Sequence, residues 1–490
     1  MTTARRVPGV RIRAANAAEV REEGDYVLYW MTMSRRRGFN YALQRASLVA
    51  AKLERPLVIF EPLRLGYRWA SDRFHRFLME GMTDNARAFA GASVTYFPWL
   101  EQSKGQGKGL LEAWSQRSCL VVTDDYPSFF LPRMIAAAAQ TLDVRLEVVD
   151  SNGVFPMRAA SKTWARAHDF RRHLQKALPE HLEPEALPTP DPLDGLTLPS
   201  LPEIPSAVAA QWSAITVDEL DAPETLAALP IDHDVPASRW QGGETAARAQ
   251  LETFLGRGLE LYADGRNHPD EELSSGLSPW LHFGHIAAHE VFSSVVGEGW
   301  TPAQLGPPTG KREGWWKLSP GREAFLDELV TWRELGFNMA HREPEHESFD
   351  ALPDWARTTL DEHRQDERPY LYSLESFEGA ETHDELWNAA QRQLVREGRI
   401  HNYLRMLWGK KIFHWTESPE AAFRIMVELN NKYALDGRDP NSYSGIGWVL
   451  GRYDRAWGPE REVFGKIRYM TSDSTRRKMK VNKYLARWAG

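Results

Sequence analysis

The sequence predicts an amino-terminal doubly wound, Rossmann-like parallel α/β domain, joined by a long linker to a larger all-helical domain. Three observations predict it. Short continuous apolar runs alternate with helical patterns early in the chain, prolines crowd a middle stretch, and helical spacing dominates the rest. The 490 residues leave room for two or more domains with large cores. The apolar runs are Tyr26 to Met31, Pro56 to Phe60, Val94 to Trp99, Cys119 to Thr123 and Leu146 to Val149. Apolar residues that run on without alternating suit strands covered on both faces, as in a parallel sheet. Asn40 to Leu53 and Phe74 to Phe89 have helical spacing, so an α/β domain is expected over residues 20–155. No GxGxxG turn follows the first strand, which argues against a standard dinucleotide site there.

Residues 156–244 read as an interdomain helix and a proline-rich connector, with eleven prolines between Pro179 and Pro236. That density prevents long helices and implies an extended segment over the surface. Residues 245–490 read as helical. Ala246 to Asp264 has apolar residues at i, i+3, i+4 spacing. Thr382-His383-Asp384-Glu385 reads as a capping box opening a helix that Gly398 ends. Arg399 to Trp415 is another helix, and Ser418-Pro419 supplies a cap and a first-turn proline for the next.

Composition excludes several classes. A single cysteine, Cys119, rules out an intrachain disulfide framework and a four-cysteine metal or iron–sulfur site. Its buried-strand context marks it as core packing, and a reducing cytoplasm fits (nucleoid-associated if the source is bacterial). No apolar run nears the about 20 residues a membrane helix needs, so no membrane partner is expected. Arg5, Arg6, Arg11 and Arg13 lie in a start with no apolar h-region, unlike a secretory signal. No HExxH spacing occurs, so no metal site is expected, and no Ser/His/Asp spacing suggests a nucleophilic triad. The net charge of −7 is unevenly spread, because Gly451 to Gly490 carries +7 against −14 for the rest. A basic tail is either a solvated face or a phosphate-contacting surface. Nineteen tryptophans suit aromatic cores or planar ligands.

Four segments carry candidate chemistry. Ser274-Ser275-Gly276-Leu277-Ser278 leads into a helix, where small hydroxyl residues and backbone N–H groups suit phosphate; a plain helix cap is the simpler alternative. Glu328 and Trp332 are four apart on one helix face, a pairing that can hydrogen-bond and stack a planar base. Trp408 and Trp415 are seven apart, about 10 Å of rise along one face, which reads as packing or as electron hopping between indoles. Leu429 to Asn441 is dense in hydrogen-bonding side chains flanked by an apolar helix, as in a loop held near a buried ligand.

Taken in order, these segments resemble the photolyase/cryptochrome family, and within it the class II cyclobutane-pyrimidine-dimer photolyases. Ser278 to Gly284, Arg399 to Met406, Leu435 to Asn441, Asp454-Arg455-Ala456-Trp457 and Phe464 to Met470 carry the resemblance, with Val27 to Met31 and Asn40 to Leu43 near the start. It implies FAD, working as FADH⁻, in the helical domain. Tyr262 and Ser274, Ser275, Gly276, Leu277 and Ser278 would surround its phosphates. Arg405 and Asp436 would form an ion pair beside the isoalloxazine, with Arg438 and Asn441 in the same binding set. Asn430 would face flavin N5, where an amide donates or accepts by turning. Trp387, Trp408 and Trp415 match electron-transfer tryptophans.

The implied partner is UV-damaged DNA, with a dimer flipped into the pocket because it cannot be reached inside the duplex. Glu328 would hydrogen-bond the dimer, Trp332 and Trp448 would stack on it, and Asn402 and Met406 would line its pocket. Arg455, Trp457 and Arg468 would hold the backbone and fill the gap in the duplex. The chain departs from the family pattern in three places. Gly451 to Asp454 is one residue shorter, Asn431 replaces an aspartate, and Thr471 to Lys480 lacks a glycine-cysteine. An antenna chromophore, a deazaflavin or folate, is left open, and a monomer is expected. The alternatives are a cryptochrome-like flavin photoreceptor without repair and a flavin-free DNA-binding protein.

Overall fold

The structure is a computed structural model that describes residues 6–490; Arg5 lies outside them. Contacts divide the chain into two compact units that do not follow its linear order. Unit one holds the chain up to Ser161, Ala177–Glu252 and Leu277–Gln304; unit two holds Lys162–Lys176, Thr253–Gly276 and Leu305–Gly490. The chain thus passes between the units five times, at 161/162, 176/177, 252/253, 276/277 and 304/305.

Unit one is built on a six-stranded sheet in the order β1-β6-β5-β2-β3-β4. The strands are β1 (Ile12–Ala14), β2 (Tyr26–Trp30), β3 (Leu57–Leu63), β4 (Thr95–Leu100), β5 (Ser118–Asp124) and β6 (Leu146–Val149). All pairs are parallel except β1 with β6. The five expected strands form because their residues alternate between two apolar layers. Tyr26, Leu28 and Trp30 pack with Trp114 on one face, while Val27, Tyr29 and Cys119 pack with helix Tyr41–Leu53 on the other. The short edge strand β1 was not expected; three residues with a central arginine carry no apolar run. The strand expected to stop at Phe60 runs on to Leu63 through Glu61. That carboxylate is buried because Arg35 (2.9 Å), Asn85 (2.9 Å) and Tyr96 (2.6 Å) all bond it.

The proline-rich stretch forms only short helices of three to five residues, Pro179–His181, Ser206–Ala209, Val217–Asp221 and Pro223–Ala227. It packs into unit one, with Leu193 and Leu198 in one apolar layer and Val208 and Trp212 in the other. Within the same unit, strand order reverses between β2 and β5, the place where open α/β sheets bind ligands. Here the protein's own Asp124 occupies it. One carboxylate oxygen accepts the backbone N–H groups of Thr32 (2.8 Å), Met33 (2.8 Å) and Ser34 (3.1 Å).

Unit two is helical. The pattern expected as one helix over Ala246 to Asp264 breaks into Glu244–Arg257, which belongs to unit one up to Glu252, and Tyr262–Gly265 in unit two, with Gly256 and Gly258 at the break. Helix Glu385–Glu397 is capped by Asp384, which accepts from Leu386 and Trp387 N–H, and not by Thr382, whose hydroxyl donates to Asn388 at 2.7 Å. Gly398 ends it in the left-handed region, as expected (φ 72°). Helix Asn402–His414 starts three residues later and ends one residue earlier than the sequence pattern suggests. Ser418 caps helix Pro419–Tyr433 by accepting from Ala421 N–H. A long helix over Pro320–Arg342 is interrupted by a π turn at Asp327–Trp332. Arg171 grips Asp327 through two bonds of 2.6 and 2.9 Å, which ties Lys162–Lys176 into this unit.

Candidate functional site

The candidate site is built in unit two from three consecutive helices and the turn between the last two. Helix Pro419–Tyr433 ends on a buried pair, Asn430 and Asn431. Asn431 organises the turn that follows. Its Oδ1 accepts from the Arg438 backbone N–H (2.9 Å) and from Asn430 Nδ2 (3.1 Å), while its Nδ2 donates to the Tyr443 hydroxyl (3.1 Å). The Arg438 N–H demands an oxygen there, so the orientation of the whole amide chain follows. Arg438 itself is buried and takes a left-handed conformation (φ 65°). Asp439 then caps helix Pro440–Val449 by accepting from Asn441 N–H (2.7 Å) and from the Asn441 side-chain amide (2.9 Å).

Helix Asn402–His414 brings Arg405 to this turn. Its Nη2 donates to both oxygens of Asp436, at 3.0 and 3.2 Å. The expected ion pair is thus formed. Arg405 Nε is buried without a hydrogen-bond partner in the protein. In helix Pro440–Val449 the exposed Gly445, one turn from both Asn441 and Trp448, has nothing within 4 Å of where a Cβ would stand. A buried, unpartnered donor on a cation–carboxylate pair, next to a turn held by a fixed amide, fits the edge of a flavin.

The rest of the expected cofactor set divides. Ser274 Oγ accepts from Arg399 (3.1 Å), and Gly276 has positive φ (68°), so Ser274–Gly276 offers hydroxyls and a tight turn beside a cation. Leu277 and Ser278 belong to unit one, where Ser278 opens helix Ser278–Phe283. Tyr262 is buried edge-on against Phe325 (5.4 Å), with Arg266 over its ring (5.4 Å).

Glu328 lies in the π turn and forms an ion pair with Arg266. Burial raises its carboxyl above the usual range, and Arg266 pulls it back. Arg266 was missed by sequence reasoning, although its spacing of four from Tyr262 was a usable signal. Trp332 ends the π turn half-buried. Asn402 is exposed at the start of its helix, and Met406 is half-buried one turn on.

The three tryptophans expected to carry electrons come together around Trp387. Trp387 stands 6.2 Å from Trp415 between ring centroids, and its indole N–H donates to the Trp408 carbonyl (3.0 Å). Trp415 is the C-cap of helix Asn402–His414, its backbone N–H still bonded to the Lys411 carbonyl (3.0 Å), so Trp387 reaches both tryptophans from the neighbouring helix. All three are buried. Gln391, one turn after Trp387, accepts the Trp408 indole N–H (2.8 Å) and was also missed.

The expected DNA-side residues form an alternating series of cations and indoles. Arg455 lies over Trp457 (4.8 Å), and Arg468 lies over both Trp457 (5.0 Å) and Trp448 (5.6 Å). Lys410, which was not expected, lies over Trp448 (5.1 Å). The shortened Gly451 to Asp454 stretch serves this series, since Asp454 accepts from the Trp457 indole N–H (3.1 Å). Among the described residues no His, Cys, Asp or Glu group could hold a metal, and no helix is long and apolar enough to cross a membrane.

No protein-family profile matches the chain. Individual proteins do. It is 34% identical to a deoxyribodipyrimidine photo-lyase of Methanothermobacter thermautotrophicus over 98% of both chains. It is 33% identical to one of Oryza sativa (94% of this chain, 87% of that one) and 30% identical to one of Potorous tridactylus (95% and 81%). Among solved structures, a bacterial class III photolyase from Agrobacterium tumefaciens shares the fold with TM-score 0.65 at 17% identity, over 95% of this chain and 86% of that one.

Proposed function

The chain belongs to the deoxyribodipyrimidine photo-lyase family, and from that premise we propose that it opens cyclobutane pyrimidine dimers in UV-damaged DNA, in the manner of a class II enzyme. Light-driven DNA repair by a flavoenzyme is the activity of the family as a whole; the lesion and the roles of the residues are the finer reading. When bound, reduced FAD supplies on illumination the electron that opens the cyclobutane ring.

The protein's residues do the rest. Arg405 and Asp436 hold the flavin edge, and Asn430 presents an amide whose nitrogen is already engaged by Asn431. Ser274–Gly276 and Tyr262 take the phosphate side, with Arg438 and Asn441 shaping the turn. The Glu328–Arg266 pair meets the dimer carbonyls. Burial has raised the Glu328 carboxyl, so a proton can reside on it when charge gathers on the lesion. Trp332 and Trp448 stack on the flipped bases, Asn402 and Met406 line the pocket, and Arg455, Trp457 and Arg468 hold the duplex. Trp415, Trp387 and Trp408 pass electrons inward to restore the reduced cofactor.

One observation supports this reading most. A single helix, Asn402–His414, brings Arg405 to Asp436 and Trp408 to Trp387, so binding and electron supply share one rigid element. The test illuminates the reduced protein with dimer-containing DNA and follows recovery of pyrimidine absorbance. Light-dependent recovery is expected. Flavin photochemistry without recovery would replace the reading with that of a photoreceptor.

A further inference from the structure

Lys410 is fully buried, an unusual place for an ammonium group. Its Nζ donates to the Val449 carbonyl at 2.5 Å, in the last turn of helix Pro440–Val449, where the helix dipole favours a cation. It lies over Trp448 as the inner rung of a series that continues through Arg468, Trp457 and Arg455 to the exposed surface. The charged groups acting on it are Asp454, which also fixes the Trp457 indole, and Arg468. No role for this lysine follows from the flavin site or from the tryptophan chain.

We propose that Lys410 is a positioning residue for lesion binding, whose charge clamps Trp448 and the cation–indole series behind it. The inference rests on reading Trp448 as a lesion contact. A cation held over an indole by a backbone carbonyl fixes the ring at little entropic cost when the base arrives. The arrangement is also costly to the fold. Burial depresses the ammonium to about 7, with Asp454 opposing and Arg468 reinforcing. An unfolded lysine keeps its proton to about 10.4, so between these values the unfolded chain binds more protons and stability rises with pH. Lesion binding moves the opposite way, since the clamp loses its charge over the same range.

The test measures binding of dimer-containing and undamaged duplexes to the FAD-loaded enzyme in the dark, from pH 6 to 9, for wild type, Lys410→Met, Lys410→Arg and Trp448→Ala. Wild-type preference for the dimer should fall as pH passes about 7. Lys410→Met should show about tenfold weaker dimer binding at pH 6 with no inflection, together with a raised melting temperature. Lys410→Arg should keep the preference without the inflection, because arginine stays charged. An inflection that persists in Lys410→Met, or dimer binding equal to wild type at pH 6, overturns the proposal. So does a Lys410→Met that is destabilised and weak while Lys410→Arg keeps the wild-type inflection. Unchanged dimer binding in Trp448→Ala overturns the stacking reading beneath it, and the clamp with it.

Discussion

The two units treat the same chemistry in opposite ways. At the strand-order reversal of unit one, three backbone N–H groups converge on a point where an anion could sit, and Asp124 fills it from within the protein. In unit two, the Arg405 and Asp436 pair leaves a buried Nε without a hydrogen-bond partner in the protein. A converging set of donors is a binding site only when the chain does not answer it itself. Fold position alone pointed to the first place, and satisfaction of hydrogen bonds points to the second.

Four substitutions sharpen or break this contrast. The largest effect is expected from Asp124→Ala, which strips three buried N–H groups of their acceptor; about 3–5 kcal/mol of stability should go, read by denaturant melting. FAD content per folded molecule should stay at its wild-type value, and a selective loss of FAD would contradict the closed reading of this nest. Arg405→Ala comes next. Losing a charge-assisted contact should weaken FAD retention by about 2–3 kcal/mol with melting of the apoprotein little changed. Retention equal to wild type would close the site in unit two as well.

Trp408→Phe should slow photoreduction of the oxidised enzyme about tenfold, roughly 1.4 kcal/mol of barrier, while repair by pre-reduced enzyme persists. Equal loss of both would mean that the indole only packs. The smallest effect belongs to Gly445→Ala. In a helix interior this change should stabilise the apoprotein by about 0.5–1 kcal/mol, since the new Cβ meets nothing within 4 Å. FAD affinity should fall if the cofactor occupies that space, and unchanged affinity would move the cofactor elsewhere.

Local chemistry was legible in the sequence, and long-range pairing was not. Strands β2 to β6 announced themselves because both faces are covered. Glu61 hid the end of β3, since its partners Arg35, Asn85 and Tyr96 are 24 to 35 residues away along the chain. Asp124 could not be matched to Thr32, Met33 and Ser34 across about 90 residues by any local pattern. In the site, Arg405 with Asp436 came from ordered motifs. The seven-residue spacing of Trp408 and Trp415 could not show that Trp387, from another helix, stands against Trp415 and bonds the Trp408 carbonyl. Lys410 carried no signal at all; a lysine in an apolar helix reads as a solvated residue until its burial is known.

The π turn at Asp327–Trp332 holds one residue more than an α-helix of the same rise would need. Point substitutions cannot remove such an excess; only a deletion can. Taking out Leu329 would let the segment close into regular α form with the flanking turns kept in register, so that only side chains within the turn change direction. Glu328 would then leave Arg266 while Trp332 stayed in place. The separation between these two side chains is thus stored as a count of residues, and evolution can revise it only in whole steps.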